Sequence, residues 1–381
     1  MNFIITGGPV HAYLDSVKII TNKFKGKLML SFIGDLWNLM LKKGYNSEEF
    51  ITYITTNLNQ VESPWNTIYH NGFEDYREIL IDLAKKDNNC FILGAAVANL
   101  IPSSPWKNKF PSHEYSENDI VNIPFKIAPR IINEIKRINN KNILFGFKLL
   151  DAQDDELLRA AYLTLKESKA NAIFANNPSN LNRILILNKE CGIKEIRRNQ
   201  LAEYIFQNAT NQYYKSIQEE PRNLNPKWLE KINKIKNKFS KEFIESNIGF
   251  NTSHGCIAIR LNDNKFYTTI RNKNRIDYID KLIMVEHVDH ENRVVLYSSM
   301  FDQENTKSPI NSPLLYRIFE TNRNVDHIVH LHLNINELKS LEYAPSGTLR
   351  DSLRDESLIN SSFNINEHGA YLLFNKEGNL I

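Results

Sequence analysis

Short apolar runs alternate with longer stretches of helical periodicity through the first 210 residues. The runs typical of buried strands are residues 3–5, 90–97, 142–147, 170–177 and 183–188. The stretches with apolar positions three or four apart, typical of helices, are residues 31–43, 76–86, 151–168 and 199–207. This alternation predicts an α/β fold with a Rossmann-like parallel sheet and right-handed crossovers.

The remainder of the chain has a different pattern. Residues 211–225 show no apolar period and are predicted to be a linker. The elements predicted after it are a long amphipathic helix at residues 226–247, strands at 256–261, 265–269, 281–287, 293–298 and 370–374, and a helix at 312–321. We therefore expect a first domain at residues 1–210 and a second α/β domain at residues 226–381.

The first apolar run ends at Gly7, Gly8 and Pro9, and a second turn at Gly26 and Lys27 leads into the first helix. A strand, a glycine loop and a helix form the usual site for a nucleotide phosphate, because backbone N–H groups and the positive helix end favour an anion. The loop has neither the Gly-Lys-Ser/Thr of a P-loop nor G-x-G-x-x-G. An ordinary strand-to-helix turn is the alternative interpretation.

Small residues also end the second strand, at Gly94, Ala95 and Ala96. Small side chains at the carboxyl end of a strand let a ligand pack against the backbone of an open α/β sheet. Close packing of the strand on a helix is the alternative explanation.

Composition limits the possible functions. The 381-residue chain is long enough for two or three domains, and its 42% hydrophobic and 24% charged residues are typical of a globular protein. A formal net charge of +3 argues against nucleic-acid binding through bulk electrostatics. The lysines of residues 231–241 alternate with apolar residues and fit the solvated face of a helix. Neither nucleic-acid nor membrane partners are expected.

The three cysteines, Cys90, Cys191 and Cys256, are scattered and form no C-x-x-C pair, so neither a disulfide framework nor a thiolate zinc site is expected. The amino terminus has no basic segment before an apolar one, and no run of 18 apolar residues occurs. These features predict a cytoplasmic protein.

The order of residues in the first domain resembles the phosphopantothenoylcysteine synthetases over about residues 2–208. The segments that carry the resemblance are Thr6-Gly7-Gly8-Pro9, Leu14-Asp15-Ser16-Val17-Lys18, Thr21-Asn22, Gly26-Lys27, residues 94–99, 107–112 and 128–132, Gly146-Phe147 and Ala175-Asn176-Asn177. The chain departs from the family at Asn99 and Asn177, where the synthetases have aspartate, and at residues 149–151, which replace Ala-Glu-Thr.

This resemblance implies a ligase that activates a carboxylate as an acyl nucleotide and couples it to an amine, with CTP, or else ATP, and magnesium. Lys109 would lie beside the phosphates and the acyl nucleotide, where a point charge stabilises the transition state. Asn22 is the second expected catalytic residue. Phe147, Ala175 and Asn176 would bound the base and ribose. An exposed loop lysine is the alternative interpretation of Lys109.

Three histidines in the second domain form a candidate metal site. His330 and His332 are two residues apart in a predicted strand, which would present both to one face, and His368 precedes the last strand. Three histidines with an open fourth position suit a catalytic divalent ion, and zinc is the expected ion. Histidines that are satisfied without a metal are the alternative.

Val-x-His-x-His after a helix, with a late His-Gly, resembles the class II aldolase/adducin family over about residues 227–381. This resemblance implies an α/β/α fold in which the three histidines hold the metal, and a phosphate loop that includes Thr252 and Ser253. The family's helix-start glutamate is replaced by Ser312, and a serine cannot act as a carboxylate base at neutral pH. The domain would be a lyase or epimerase that uses another base, or an adducin-like assembly module.

Two hypotheses of different classes follow. The first is a bifunctional enzyme, with a nucleotide-dependent ligase fused to a metal-dependent lyase or epimerase that acts on a small, phosphorylated metabolite. The second is a non-catalytic protein with degenerate sites that binds nucleotides and supports assembly. Both families consist of oligomers, so the resemblances imply a homo-oligomer.

Overall fold

In a computed structural model, the protein divides into two compact units, Met1–Thr210 and Asn211–Ile381. The residues that the structure describes are 1–45, 50–58, 61–211, 213–220, 222, 227–245, 255–262, 264–271, 281–299 and 307–381. Each unit is a sheet with helices packed on both of its faces. The predicted α/β class is confirmed.

The first unit alternates strands and helices along the chain. Its strands are β1 (Asn2–Thr6), β2 (Pro9–Val10), β3 (Ala12–Tyr13), β4 (Ile19–Ile20), β5 (Ile51–Thr56), β6 (Asn66–His70), β7 (Asn89–Leu93), β8 (Ala96–Val97), β9 (Leu100–Pro102), β10 (Phe125–Ile127), β11 (Ile143–Leu149), β12 (Ala172–Asn176), β13 (Arg183–Asn188) and β14 (Ile193–Arg197). Its helices are α1 (Lys27–Lys42), α2 (Phe73–Ala84), α3 (Ile132–Ile138), α4 (Asp154–Ser168) and α5 (Leu201–Ala209), with 3-10 turns at Ser112–Glu114 and Arg198–Gln200.

Within the described residues, eight of these strands form one sheet in the order β14-β13-β12-β11-β7-β1-β5-β6. The six strands from β6 to β12 are parallel, as predicted for a Rossmann-like fold. The parallel prediction is wrong for β13, which is antiparallel to β12; β14, a strand that was not predicted, is antiparallel to β13. Only residues 177–182 separate β12 from β13, and a parallel pair needs a crossover of about a dozen residues.

Apolar side chains on the two faces of this sheet form two separate cores. Phe32 and Leu36 of α1 and Ile205 of α5 pack on one face, and Leu80 of α2 and Leu157 of α4 pack on the other. The N-cap of α1, Gly26, lies against Gly8, which comes shortly after the end of β1, so the amino terminus of α1 is at the carboxyl edge of the sheet.

The second unit is built mainly from antiparallel strands. Its strands are β15 (Lys215–Gln218), β16 (Cys256–Asn262), β17 (Lys265–Thr269), β18 (Leu282–Asp289), β19 (Val294–Ser299), β20 (His327–Leu331), β21 (Lys339–Leu341), β22 (Phe363–Ile365) and β23 (Gly369–Phe374). Its helices are α6 (Lys227–Lys238), α7 (Ser240–Glu245), α8 (Ser312–Thr321) and α9 (Leu349–Ser352), with a 3-10 turn at Glu356–Leu358.

Its described strands pair in the order β15-β19-β18-β17-β16-β20-β23-β22-β21. The helix α8 packs on one face, and α6 and α7 pack on the other, which gives the α/β/α layers expected. Two sequence-based expectations need correction. The segment predicted as a linker contains the edge strand β15, and the helix predicted at 226–247 is two described helices, α6 and α7. In the described part of the chain, no helix combines the length and apolar character needed to cross a bilayer.

Candidate functional sites

The order of the parallel strands reverses between β1 and β7, which are neighbours in the sheet. In an open α/β sheet, ligands bind in the crevice at the carboxyl ends of the strands at such a point. Gly7 follows β1 and Gly94 follows β7. Both predicted small-residue loops therefore lie at the topological switch point.

Hydrogen bonds tie these two loops together. The N–H of Ala96 donates to the carbonyl of Gly8 at 2.9 Å, and Pro9 and Ala96 are paired in the short parallel ladder of β2 and β8. The Asn22 side-chain amide donates to the Ala96 carbonyl at 3.0 Å, and the Ala95 N–H donates to Oγ1 of Thr6 at 3.2 Å. The structure thus brings Asn22 to the two loops.

Gly26 seats the first helix against the glycine loop. It is the N-cap of α1 with a φ of 77°, and a β-carbon at this position would lie 2.5 Å from the backbone nitrogen of Gly8. Lys27, the first residue of α1, is exposed at the same place. The first amides of a helix have no partner within it and favour an anion, so this corner of the crevice suits a phosphate.

Gly94 has a structural explanation as well as a functional one. A β-carbon at Gly94 would overlap the side chain of Met29 in α1. Close packing of the end of β7 on α1 therefore accounts for Gly94, and this was the alternative to ligand binding that the sequence analysis gave for residues 94–96.

The predicted base-binding residues lie one strand (Phe147) and two strands (Ala175 and Asn176) away from β7, the strand that the Gly94 loop follows. Phe147 is in β11, where it pairs with Phe174 of β12, and Asn176 ends β12. Asn176 is 5% exposed and its amide donates to the Arg183 carbonyl at 3.1 Å, while Ala175 is 1% exposed. With neighbouring strands about 4.8 Å apart, β12 is about 10 Å from β7 along the same edge.

A cavity of about 590 Å³ is lined by Arg183, the residue whose carbonyl accepts the hydrogen bond of Asn176. Its lining includes Ser31 and Asp35 from α1, Arg183, Glu195 and Arg197 from β13 and β14, and Arg198 just after β14. Arg183 is held by Asp154 and Glu195 at 2.7 Å each. Because Asp154 and Glu195 pair with Arg183, the arginines of the lining that could meet a phosphate of a ligand are Arg197 and Arg198.

Lys109 is exposed on the loop after β9. That loop is fastened to the turn between β3 and β4, because the N–H of Phe110 donates to Oδ2 of Asp15 at 2.9 Å and the N–H of Trp106 donates to the Leu14 carbonyl at 3.0 Å. The turn and Asn22 belong to the same short segment, so Lys109 is attached to the side of the crevice that Asn22 occupies.

Asp15 is a buried residue whose role sequence reasoning missed. It is 1% exposed, and Oδ1 accepts the N–H groups of Val17 at 2.7 Å and Lys18 at 2.5 Å. Burial alone would raise the pKa of Asp15, but the N–H donors of Phe110, Lys18 and Val17 outweigh it, and the pKa lies well below its usual range. An Asp whose side chain accepts the N–H groups two and three residues later forms an Asx turn, and this local pattern could have indicated that Asp15 closes the turn.

Two buried histidines at the same edge were also missed. His70 ends β6 and His11 follows β2, with 0% and 1% exposure and ring centres 6.3 Å apart. Burial lowers the pKa of His11, and burial together with the neighbouring His11 lowers the pKa of His70 to about 4. Both rings are therefore neutral at neutral pH. Among the described residues, none lies in hydrogen-bonding position to either ring nitrogen of His70.

The structure brings the three predicted metal ligands of the second unit together. His330 is in β20, His332 follows it and His368 precedes β23, and their ring nitrogens lie within 4.8 Å of one another. The ring centres are 4.6, 4.9 and 5.0 Å apart. An ion about 2.1 Å from each nitrogen lies roughly 3.2 Å from each ring centre, and tetrahedral angles then separate the centres by about 5 Å.

Other groups already orient two of these rings. Nδ1–H of His330 donates to the Ala370 carbonyl at 3.0 Å, so its Nε2 carries a lone pair on the side of the ring that faces His368. Nδ1 of His368 lies 2.9 Å from Oγ of Ser346, and its Nε2 is 2.8 Å from Nε2 of His330. His330 and His368 are buried, whereas His332 is half-buried, so the cluster reaches the surface through His332.

Polar groups near α8 complete the wall of this cluster. Oη of Tyr371 is 3.4 Å from Nε2 of His368, and the amide of Asn311 donates to this hydroxyl and to Sγ of Cys256, each at 3.4 Å. Ser312 is fully buried, with its hydroxyl 2.7 Å from that of Ser308. Thr252 and Ser253, the expected phosphate loop, lie outside the described residues.

The fold of the first unit and its glycine-lined crevice place it among α/β domains that bind ligands at a switch point. Residues 1–212, more than half of the chain, match the family described as the DNA/pantothenate metabolism flavoprotein C-terminal domain. The chain belongs to this family.

Three of the proteins similar to this chain are described here. The chain is 27% identical over 180 residues to the coenzyme A biosynthesis bifunctional protein CoaBC of Methanocaldococcus jannaschii, a match over 46% of this chain and only 40% of that protein. The DNA/pantothenate metabolism flavoprotein of Streptococcus pneumoniae is similar at 22% identity and a TM-score of 0.45, over 54% of this chain and 96% of that one. Escherichia coli YgbL, titled a putative aldolase/epimerase/decarboxylase, is similar at 15% identity and a TM-score of 0.29, over 39% and 78%.

Proposed function

We propose that the first unit is a ligase that uses a nucleoside triphosphate, CTP or else ATP, with magnesium, to join a carboxylate to an amine. The observation that carries this proposal is the convergence of Gly8, Asn22, Gly26 and Ala96 at the switch point. Family membership and the similarity to CoaBC support the same reaction class.

The reaction would proceed in two displacements. A carboxylate oxygen of the substrate attacks the α-phosphorus, the bond to the bridging oxygen breaks, and pyrophosphate leaves. The amine nitrogen then attacks the acyl carbon, the nucleoside monophosphate leaves, and the amine proton passes to solvent. Both steps develop negative charge on phosphate oxygens, where preorganised donors stabilise the transition state.

The location of each residue in the crevice determines the role that we propose for it. The backbone of residues 7–9 and the start of α1, with Lys27, would hold the triphosphate. Lys109 would place its charge at the α-phosphate, and Asn22 would fix the Ala96 carbonyl and the loop around it. The cavity lined by Arg183 would take the ribose and base, with Phe147 and Ala175 in the adjacent strands.

Nucleotide binding and turnover test this assignment separately. CTP or ATP with magnesium should raise the melting temperature of the intact protein by mass action, and pyrophosphate should be released when the correct acid is supplied. Lys109→Gln should reduce turnover far more than nucleotide affinity. Lys107→Gln, an exposed lysine two residues away, is the matched control. Equal turnover in both variants would remove Lys109 from the mechanism.

We further propose that the second unit is a metal-dependent lyase or epimerase that acts on a small, phosphorylated metabolite. The spacing of His330, His332 and His368 carries this proposal, because it fits one divalent ion, with zinc as the expected ion. When bound, such an ion would polarise a carbonyl or hydroxyl oxygen of the substrate as a Lewis acid. The hydroxyl of Tyr371 lies beside that position.

Metal analysis of the purified protein tests this centre. About one divalent ion per chain is expected, as for a single three-histidine site, and His368→Ala should abolish it. His287→Ala, an exposed histidine in β18 of the same unit, should leave the content unchanged. Failure of zinc, manganese and cobalt both to bind and to raise the melting temperature would reject the site.

One observation favours the non-catalytic alternative for the second unit. Ser312 provides no carboxylate at the start of α8, and its hydroxyl is engaged with Ser308. A protein that binds one ion per chain, yet turns over no phosphorylated hydroxy acid, ketose or aldose, would support the assembly role.

A further inference from the structure

Asp15 makes two kinds of contact with its two oxygens. Oδ1 closes the local turn by accepting the N–H groups of Val17 and Lys18. Oδ2 accepts the N–H of Phe110, 95 residues further along the chain, and the Lys18 ammonium at 3.0 Å. A buried carboxylate that a turn alone required would need only the first oxygen.

The long-range contact is one of two that bracket the lysine loop. Phe110 is held at Oδ2 of Asp15, and Trp106 is held at the Leu14 carbonyl. The Phe110 ring also packs between Trp106 and Tyr115, with ring centres 4.9 and 5.1 Å apart. Residues 107–109 are thus fixed at both ends while Lys109 itself is exposed.

The Lys109 ammonium has no internal partner to position it. In the part of the chain that the structure describes, no hydrogen bond or ion pair of this side chain occurs. Its location relative to the crevice is therefore set by the backbone of the loop, and the nearest anchor of that backbone is the adjacent residue, Phe110.

We propose that Asp15 is a positioning residue for the lysine of the activation step: through Phe110 it holds the loop that carries Lys109 against the crevice. This inference rests on the proposed ligase function. A displacement of about 1 Å at a group that stabilises a transition state can cost about a hundredfold in rate, so one buried contact suffices to govern turnover.

Asp15→Asn separates this role from that of the turn. With its oxygen in the place of Oδ1, asparagine still accepts the N–H groups of Val17 and Lys18. Its NH₂ group then faces the N–H of Phe110, and two donors cannot bond to each other. The variant therefore keeps the turn and breaks the anchor.

The experiment compares the wild type with Asp15→Asn, Lys109→Gln, Lys107→Gln and the double variant that combines Asp15→Asn with Lys109→Gln. Hydrogen exchange at residues 106–111 should become faster in Asp15→Asn. The CTP- or ATP-induced melting shift should change little, whereas kcat for pyrophosphate release should fall ten- to a hundredfold. In the double variant, loss of the anchor should add little to the loss caused by Lys109→Gln, because both act through the same charge.

Each contrary result has its own meaning. Normal turnover in Asp15→Asn, or a parallel loss of nucleotide binding and kcat, would overturn the positioning role while the ligase assignment stands. Losses that multiply fully in the double variant would also overturn it. A wild-type protein with no nucleotide-induced shift and no pyrophosphate release would overturn the ligase proposal, and this inference with it, even where hydrogen exchange shows that Asp15 anchors the loop.

Discussion

Gly26 offers a sharp test of the glycine corner, because the chain contains a matched control. Gly26 and Gly44 have nearly equal φ angles of 77° and 79°, before and after α1. A β-carbon at Gly26 would lie 2.5 Å from the nitrogen and 2.8 Å from the α-carbon of Gly8, whereas one at Gly44 would meet no described heavy atom within 4 Å. The two sites therefore differ in steric space and share the same backbone strain.

The magnitudes follow from these two contributions. The left-handed backbone should cost each alanine variant about 1–2 kcal/mol of unfolding free energy. At Gly26 the added carbon must also displace backbone rather than a flexible side chain, and overpacking of this kind costs about 1–3 kcal/mol more. Gly26→Ala should thus be less stable than Gly44→Ala by about 1–3 kcal/mol.

Urea unfolding of both variants, followed at the same protein concentration, measures this difference. Gly26→Ala should also lose its nucleotide-induced melting shift, because the start of α1 is pushed away from residues 7–9. Equal stability of the two variants would show that α1 does not rest on the glycine loop. A retained nucleotide shift in Gly26→Ala would exclude this corner from the phosphate site.

Two further predictions concern stability. The pKa of His70 is lowered to about 4 in the folded protein, so the unfolded chain binds a proton at a higher pH than the folded one. The free energy of unfolding should therefore fall by up to about 3 kcal/mol as the pH drops from 6.5 to 4. His70→Leu should lose this pH dependence in acid unfolding, and an unchanged pH dependence would contradict the lowered pKa of His70. Arg260 donates to the carbonyls of Val325, Phe319 and Asn322 at 2.7, 2.9 and 2.7 Å, so Arg260→Lys should cost about 2–4 kcal/mol in urea unfolding, and a loss below about 0.5 kcal/mol would show that these contacts are not needed.

Much of the fold follows from local pattern. The strand at Arg183–Asn188, the strand at Lys265–Thr269 and the helix at Ser312–Thr321 have the predicted bounds. Each has a strong period and a clear turn signal at its ends. The direction of β13 could also have been predicted from the sequence, because the connection between β12 and β13 is too short for a parallel pair.

The missed elements have weak local signals. Every side chain of β15 is exposed, so this edge strand has no buried face and no alternation to detect. Residues 226–247 have a continuous amphipathic period without glycine or proline at Phe239, where α6 ends and the side chain packs against the core of the sheet. Local sequence cannot report such tertiary effects.

The candidate sites divide in the same way. The glycine loops and the histidine trio could be predicted, because strand ends and i, i+2 spacing fix where such residues point. The contact between Asp15 and Phe110 joins positions 95 residues apart and could not. The domain bounds, the role of each site residue and the homo-oligomer stay predictions.

The hydrogen bonds of His330 and His368 bear on when an ion would enter the proposed centre of the second unit. The Ala370 carbonyl and the Ser346 hydroxyl orient both rings, and the adjacent core of Ile328, Phe363 and Tyr371 is closed by side chains alone. Such a domain is expected to fold before it binds the proposed ion, unlike a zinc finger, whose folding the metal drives. A chelator should therefore strip the proposed centre without unfolding it, and the supply of ions in the cell, rather than the energetics of folding, would decide which one is carried.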